Sequence, residues 1–341
     1  MAKQKRILVV RTDRVGDTVM VTPVVRELKK AFPDSFIATL TQPNSAGVFF
    51  NNPYVDKIIT DDLKKESFKK VVRKIKENKF THGLVIFPSE RAAYQLFLGR
   101  VKKRYMTGFR LYSLLTFTRS VSREKYIKLK HEADYSLDLA RRIGVVTDDI
   151  HPEIFVTDEE KKANLEFLES KNIPANIFRI ILHTGSGNSA PNWSEKRYLE
   201  LIKMILNKFG DKDFRIILTA KEMTKEFLTK IQELNDSRIA DISGEIKSLR
   251  HLICSISNAD LMISPSTGPI HIAGALDIKC IGMYCQRSVV SSKCWGVLNE
   301  QSINLEVKKE FCEANCGEGK PGCKIEDGIT PAEVLKYVEI K

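Results

Sequence analysis

The chain has 341 residues, 43% of them apolar and 29% charged. That length suits two domains with a buried core each, and the balance excludes disordered, collagenous and coiled-coil chains. The net charge of +12 is unevenly spread: residues 91–130 hold eleven basic side chains against one acid, Glu124, and so carry most of the excess. No apolar run approaches the roughly 18 residues of a membrane span, and MAKQKR leads into only ILVV before charge resumes. The expectation is a cytoplasmic protein with neither span nor signal peptide.

Short β-branched runs alternate with longer amphipathic ones, the pattern of parallel sheets covered by helices. The first unit reads as strand RILVV, loop RTDRVGD and one helix over TVMVTPVVRELKKAF, with Met20, Val24 and Leu28 on one face. Strand FIATLT, helix KKESFKKVVRKIKE and the apolar run HGLVIF follow. Within the basic segment lies LYSLLTFT, residues 111–118, so that a basic strip surrounds an apolar one. Such a strip suits an anionic membrane surface or amphiphile, or it is a solvated face around a short core helix. No nucleic-acid motif accompanies it, so no nucleic-acid partner is expected. A helix from Glu132 ends at Gly144, and VTDDIHPEIFVTDEE reads as the exit to a second domain, dividing the chain into 1–155 and 156–341.

The second series begins with strand FRIILHTG, loop SGNSAPNW and helix SEKRYLELIKMILNKFG. Strand FRIILTAKE, helices MTKEFLTKIQEL and IKSLRHLICSISNA, strand DLMIS, loop PSTGP, helix IHIAGAL and strand KCIGMY complete it. Two consecutive α/β halves imply two Rossmann-like domains facing across a cleft, with ligands at the carboxyl ends of the strands. The seven cysteines lie in the C-terminal half, odd in number and without a secretion signal, which argues against a disulfide framework. Cys312, Cys316 and Cys323 could hold zinc but lack a paired CxxC knuckle and a nearby histidine; free thiols are the alternative.

Three strand-to-helix loops carry the plausible chemistry. In the first, Gly16 permits a tight turn and Asp17 follows near the helix start, either as an N-cap or as a general base at a cleft edge. The second, Gly185-Ser186-Gly187-Asn188-Ser189-Ala190, formally fits the dinucleotide fingerprint of a dehydrogenase. Pro191 and Asn192-Trp193-Ser194 separate it from its helix, leaving a Gly/Ser loop able to hold phosphate oxygens or an ordinary connection capped by Ser194. The third, Ser264-Pro265-Ser266-Thr267-Gly268-Pro269-Ile270-His271, offers Ser266 or Thr267 as cap, Gly268 for close approach and Pro269 at the first helical position. Its free amides suit a diphosphate, and His271 one turn in can donate to a phosphate or satisfy a core carbonyl.

Together these residues resemble the heptosyltransferases of glycosyltransferase family 9. ILVVRTDRVGDTVMVTPVVRELKKAFP looks like the family's opening, HTGSGNSAPNWSEKRYLELI is similar to its second-domain loop, and SPSTGPIHIAGAL to its donor-phosphate motif. FCEANCGEGKPGCKIEDGITPAEV resembles the cysteine-containing tail of many members. The resemblance implies a GT-B fold, a nucleotide-sugar donor held by the C-terminal domain, an anionic glycolipid acceptor at the N-terminal domain, and inversion without a metal or other cofactor. On it, Asp17 falls on the catalytic base, Ser186 and Gly187 on the donor-phosphate loop, Glu222 on the residue that holds the donor ribose, and Ser266, Thr267, Gly268 and His271 on the phosphate motif. Asn192 stands where members commonly carry a basic residue before the tryptophan, and Ser266 where they carry aspartate. Arg11, Arg14, Lys102, Lys103 and Arg104 are the candidates for contact with the acceptor or the inner face of the membrane. The expectation is transfer of a heptose-like sugar to a lipopolysaccharide-core or other glycolipid hydroxyl, against a catalytically idle nucleotide-sugar-binding protein or a Rossmann dehydrogenase.

Overall fold

In the computed structural model, which describes residues 4–63, 65, 67–123, 129–316 and 323–340, the chain divides into two compact units, Met1–Phe155 and Val156–Lys341. The N-terminal unit runs β1 (Arg6–Val10), α1 (Val15–Val19), α2 (Thr22–Ala31), β2 (Phe36–Thr41), β3 (Lys57–Thr60), α3 (Phe68–Glu77), β4 (His82–Val85), α4 (Glu90–Leu98), β5 (Lys103–Thr107), α5 (Leu111–Leu115), β6 (Arg119–Val121) and α6 (Glu132–Arg141). Its strands form one parallel sheet in the order β3-β2-β1-β4-β5-β6. Chain order reverses between β1 and β4, where an open α/β sheet leaves a crevice beyond its strand ends.

Successive residues of β1 feed opposite cores. Ile7 and Val9 pack with Val24, Val25 and Leu28 of α2 and Leu137 of α6, whereas Leu8 and Val10 join Val71 and Ile75 of α3 and Leu96 of α4. A strand covered on both faces is apolar at every position, which is why LVV shows no alternation. Ser67 and Ser89 open α3 and α4 by accepting the N–H groups of Lys70 and Ala92.

The helix expected over TVMVTPVVRELKKAF is two helices, and the first begins earlier, at Val15. Pro23 near the start of α2 has no N–H and its ring would crowd the carbonyl four residues back; that Val19 carbonyl instead accepts the Thr22 hydroxyl (2.8 Å). The polar stretch expected to leave the domain stays tied to it as far as Glu153. Buried Arg26 donates to the carbonyls of His151 (2.6 Å) and Asp149 (3.1 Å) and pairs with the carboxylates of Asp149 and Glu153.

The C-terminal unit runs α7 (Asp158–Glu169), β7 (Phe178–Leu182), α8 (Glu195–Lys208), β8 (Phe214–Leu218), α9 (Lys225–Glu233), β9 (Ile239–Asp241), α10 (Leu249–Ser257), β10 (Leu261–Pro265), α11 (Gly268–Ala275), β11 (Lys279–Tyr284), α12 (Ser292–Trp295), β12 (Ile303–Glu306), α13 (Lys309–Asn315), α14 (Ile325–Gly328) and α15 (Pro331–Leu335). Its parallel sheet has the order β12-β11-β10-β7-β8-β9, with the reversal between β10 and β7. Thr157 and Glu160 close a reciprocal capping box at the start of α7. The edge or near-edge strands β3, β5, β6, β9 and β12 were not legible as strands in KIIT, KRYMT, RSV, IAD and INLE, because charge and polarity at a sheet margin mask the apolar signal. Among the described residues no helix is long and apolar enough to cross a membrane.

Candidate functional site

At the switch point of the N-terminal unit, β1 runs directly into Arg11, whose guanidinium is buried. It donates to Asp13 (Nε to Oδ1, 2.7 Å), to Asp17 Oδ1, and to Glu132 Oε1 of α6 (3.2 Å); Arg123 donates to the same Glu132 oxygen (2.5 Å). Three carboxylates therefore share two guanidiniums. Burial, reinforced by the neighbouring charges of Asp13 and Glu132, outweighs Arg11 and pushes the Asp17 carboxyl up to about 6. Asp17 is not the cap of its helix. Arg14 occupies that position, and Asp17 sits three residues inside, because α1 starts before Gly16 rather than after it. What remains is a part-buried carboxyl with a proton affinity near neutrality, the property of a general base. Arg14 is exposed; Arg11 is wholly committed to the carboxylates around it and so positions Asp17 rather than reaching outward.

In the C-terminal unit the loop after β7 and the loop after β8 line one cavity of about 290 Å³, bounded by Thr184 to Asn188, Asn192, Trp193, Glu195 and Glu222. Gly187 and Asn188 both take left-handed backbone (φ 51° and 56°). A Cβ on Gly185 would fall 2.0 Å from Glu222 Oε2, so glycine is what lets the carboxylate lie against the loop. The loop is fastened from below: Asn192 donates to the Thr184 carbonyl (2.6 Å) and accepts from the Tyr198 hydroxyl (2.6 Å), and the Trp193 indole donates to the Ile329 carbonyl (2.9 Å). Glu195 is committed to the N–H and hydroxyl of Thr224, which caps α9.

The two glycines of the fingerprint-like loop lie well before α8, which opens at Glu195, so the glycine loop does not begin a helix as a dinucleotide fingerprint requires. Ser194 precedes α8 without a cap bond from its hydroxyl; its N–H donates to Glu326. In the third loop Thr267 is the capping residue of α11, again without a side-chain cap bond, and Gly268 rather than Pro269 takes the first helical position. Ser266, Thr267 and His271 are buried, with the His271 ring 5.7 Å from that of Trp295, while Gly268 is partly exposed. The structure thus gathers Ser186, Gly187 and Glu222 around one cavity, and places Ser266, Thr267, Gly268 and His271 at the end of the adjoining strand β10, outside that cavity's lining.

Asp13, Glu132 and Arg123 at the first site, and Asn188 and Asn192 at the second, were not anticipated in these roles. Glu132 is more than a hundred residues from Arg11, and no spacing signals such a pairing. Of the basic segment, Arg91 is paired with Asp61, Arg123 with Glu132, and Lys130 with Asp134 and Asp138. Lys102 and Lys103 are exposed. Arg104 is instead spent on backbone carbonyls, donating to Thr116 (2.9 Å), Val101 and Phe117. Glu124, Lys125 and Lys128 lie outside the described residues. LYSLLTFT is no core helix: α5 exposes Leu111, Leu114 and Leu115.

The tail cysteines meet a fourth. The Cys312 thiol lies against those of Cys285 and Cys316, and the Cys323 thiol also lies against Cys285. All seven cysteines are free thiols, and burial together with these neighbours pushes Cys312 up to about 11. Among the described residues no group of three or more histidine, cysteine, aspartate or glutamate side chains is arranged to hold a metal ion.

Residues 68–320 match the model of glycosyltransferase family 9 (heptosyltransferase). A Haemophilus influenzae protein named as a candidate glycosyltransferase is 29% identical over 305 residues, covering 87% of either chain. The lipopolysaccharide core heptosyltransferase OpsX of the same organism is 24% identical over 335 residues, covering 94% of this chain and 89% of its own. The structure of E. coli ADP-heptose lipopolysaccharide heptosyltransferase II superposes with a TM-score of 0.78 at 18% identity, covering 97% of either chain. The fold is the GT-B fold of those enzymes.

Proposed function

The chain belongs to glycosyltransferase family 9, the heptosyltransferases, and on that premise we propose that it moves a heptose-like sugar from ADP-heptose, or a related nucleotide sugar, to a hydroxyl of a lipopolysaccharide-core or other anionic glycolipid acceptor at the inner face of the cytoplasmic membrane. The observation that carries the reading is Asp17, a part-buried carboxyl raised to about 6 at the switch point of the N-terminal unit and fixed there by buried Arg11. The acceptor oxygen forms a bond to the anomeric carbon as the bond from that carbon to the diphosphate breaks. The hydroxyl proton passes to Asp17, the nucleoside diphosphate departs, and attack from the face opposite the leaving group inverts the centre.

Charge on the departing diphosphate is stabilised by donors already in place, with no metal taking part. Ser186, Gly187 and the start of α11 at Thr267 and Gly268 supply amides and hydroxyls, with His271 behind them, and Glu222 accepts from the nucleoside ribose. Asn192, whose amide is spent on the loop, adds no cation, so this site binds the diphosphate through dipoles. Arg14, the exposed basic side chain of the first loop, meets an acidic acceptor group.

The test is a mass-spectrometric transfer assay in which a panel of nucleotide sugars is incubated with a truncated lipopolysaccharide-core acceptor and either wild type or Asp17→Asn. Product from ADP-heptose with wild type only is expected. No product from any donor would leave a nucleotide-sugar-binding protein.

A further inference from the structure

Among the described residues, eight other than glycine adopt left-handed backbone, and five of them are asparagine or aspartate, the residues that tolerate it. The other three, Lys79 (φ 50°), Arg100 (φ 61°) and Phe117 (φ 50°), belong to neighbouring parts of the N-terminal unit. Lys79 follows α3, Arg100 follows α4 and Phe117 follows α5, each where a chain leaving a helix ordinarily uses glycine.

Phe117 exposes its ring (75%) although Arg104 donates to both its carbonyl and that of Thr116, which fixes the strained turn from behind. Around it stand Leu98 at the end of α4 and Leu111, Leu114 and Leu115 of α5, each at least half exposed. Among the described residues, seven of the thirteen exposed large apolar side chains fall between residues 97 and 117. The Phe97 and Phe117 rings approach to 6.2 Å, and Leu98 leads directly into Gly99 and Arg100. These last two line a cavity of about 490 Å³ whose other walls include Arg6, Lys76, Lys79 and Lys102. Among the described residues no carboxylate lines it.

Basic residues after α3 and α4 complement the negative ends of those helices. That role is open to any lysine or arginine in the last turn and does not require a left-handed backbone. Positive charge also gathers close to this edge: the buried His82 is held down to about 4 by burial, then by Lys103 and Lys5.

We propose that this edge of the N-terminal unit is a docking face for an anionic phospholipid bilayer, in which Phe117 and the α5 leucines enter the interface while the cavity of Arg6, Lys76, Lys79, Arg100 and Lys102 receives headgroup phosphates. An apolar ridge beside cations that have no carboxylate partner among the described residues matches a surface that is apolar within and negatively charged at its rim. The face deepens the glycolipid-acceptor reading above and rests on it for its purpose, yet its chemistry is separate from the nucleotide site.

The left-handed positions supply a variant that tests it without unfolding. Lys79→Gly, Arg100→Gly and Phe117→Gly together remove the side chains and relieve the backbone, so the triple variant should melt no lower than wild type. In flotation assays, wild type should rise with vesicles containing about a third phosphatidylglycerol, far less with phosphatidylcholine alone, and less at high salt. The triple variant should lose that binding by about tenfold or more while binding ADP as wild type does. Equal flotation of both proteins, or wild-type flotation indifferent to lipid charge, would overturn the docking face. Intact flotation with no nucleotide binding would instead count against the glycosyltransferase reading.

Discussion

At the switch point of the N-terminal unit, Arg11 is held by three carboxylates and Glu132 by two guanidiniums; in the C-terminal unit the cavity beyond β7 and β8 is lined mainly by hydroxyls, amides and glycine backbone, with Glu222 laid against the loop. The same topology therefore supports two opposite electrostatic solutions. A carboxyl that must hold a proton near neutral pH needs burial and fixed neighbours that together leave it short of positive charge. A cradle for a diphosphate needs donors that nothing else has claimed. In the proposed division of labour the first unit handles the proton and the second the leaving group.

The largest expected effect breaks the first half of this contrast. Asp17→Asn keeps the shape but cannot accept a proton, so kcat should fall by about 10²–10⁴-fold, while calorimetry finds ADP affinity unchanged. The same variant has a stability signature. Folded Asp17 keeps its proton to about pH 6, whereas in the unfolded chain an aspartate releases it near its ordinary value of 3.8. Wild type therefore loses stability as pH rises from about 4 to about 6, and asparagine does not. Wild type and variant should melt together at pH 4, with the variant more stable at pH 8 by up to about 3 kcal/mol. A variant with wild-type turnover would place the base elsewhere.

Gly185→Ala breaks the second half. The added methyl cannot share space with Glu222 Oε2, so either the carboxylate or the loop must move. We expect ADP affinity to drop by about tenfold, or about 1.4 kcal/mol, with the acid limb of the pH–rate profile unmoved. If ADP binds the variant as it binds wild type, Glu222 and its loop do not form the nucleotide site.

Much of this contrast was legible in the sequence, though unevenly. Unbroken apolar runs exposed the central strands, and Gly185 and Gly187 marked the loop that approaches Glu222 and turns through left-handed backbone. The edge strands were hidden by their charge, and the break at Pro23 by the continuity of apolar spacing on either side of it. The charge network around Asp17 could not be read at all, because Arg11, Arg123 and Glu132 meet only after β1, the loop after β6 and α6 have been folded side by side. The basic segment misled in the other direction. Counting charges there overstated its free cations, since Arg91, Arg123 and Lys130 are paired and Arg104 holds a turn.

A smaller change sharpens the account of the base. Asp13 is one of the two carboxylates that raise Asp17, so Asp13→Asn should lower its proton affinity. The acid limb of kcat, near pH 6 in wild type, should move to lower pH while the plateau at high pH changes little. An unmoved limb would show that the group titrating in the rate profile is not Asp17.

The smallest expected effect is none, and it bears on the second site. If dipoles alone hold the diphosphate, ADP should bind equally well with excess EDTA and with added magnesium. The side chains argue for this outcome. Of the two carboxylates lining the cavity, Glu195 is taken by the N–H and hydroxyl of Thr224, and Glu222 lies against Gly185. A divalent cation bridging phosphate oxygens needs oxygen ligands free to turn toward it, and a site with one such carboxylate offers little. Calorimetric titration of ADP in the two buffers decides the matter: a large loss of affinity in EDTA would mean that a cation, rather than the helix start and the glycine loop, carries the phosphate charge.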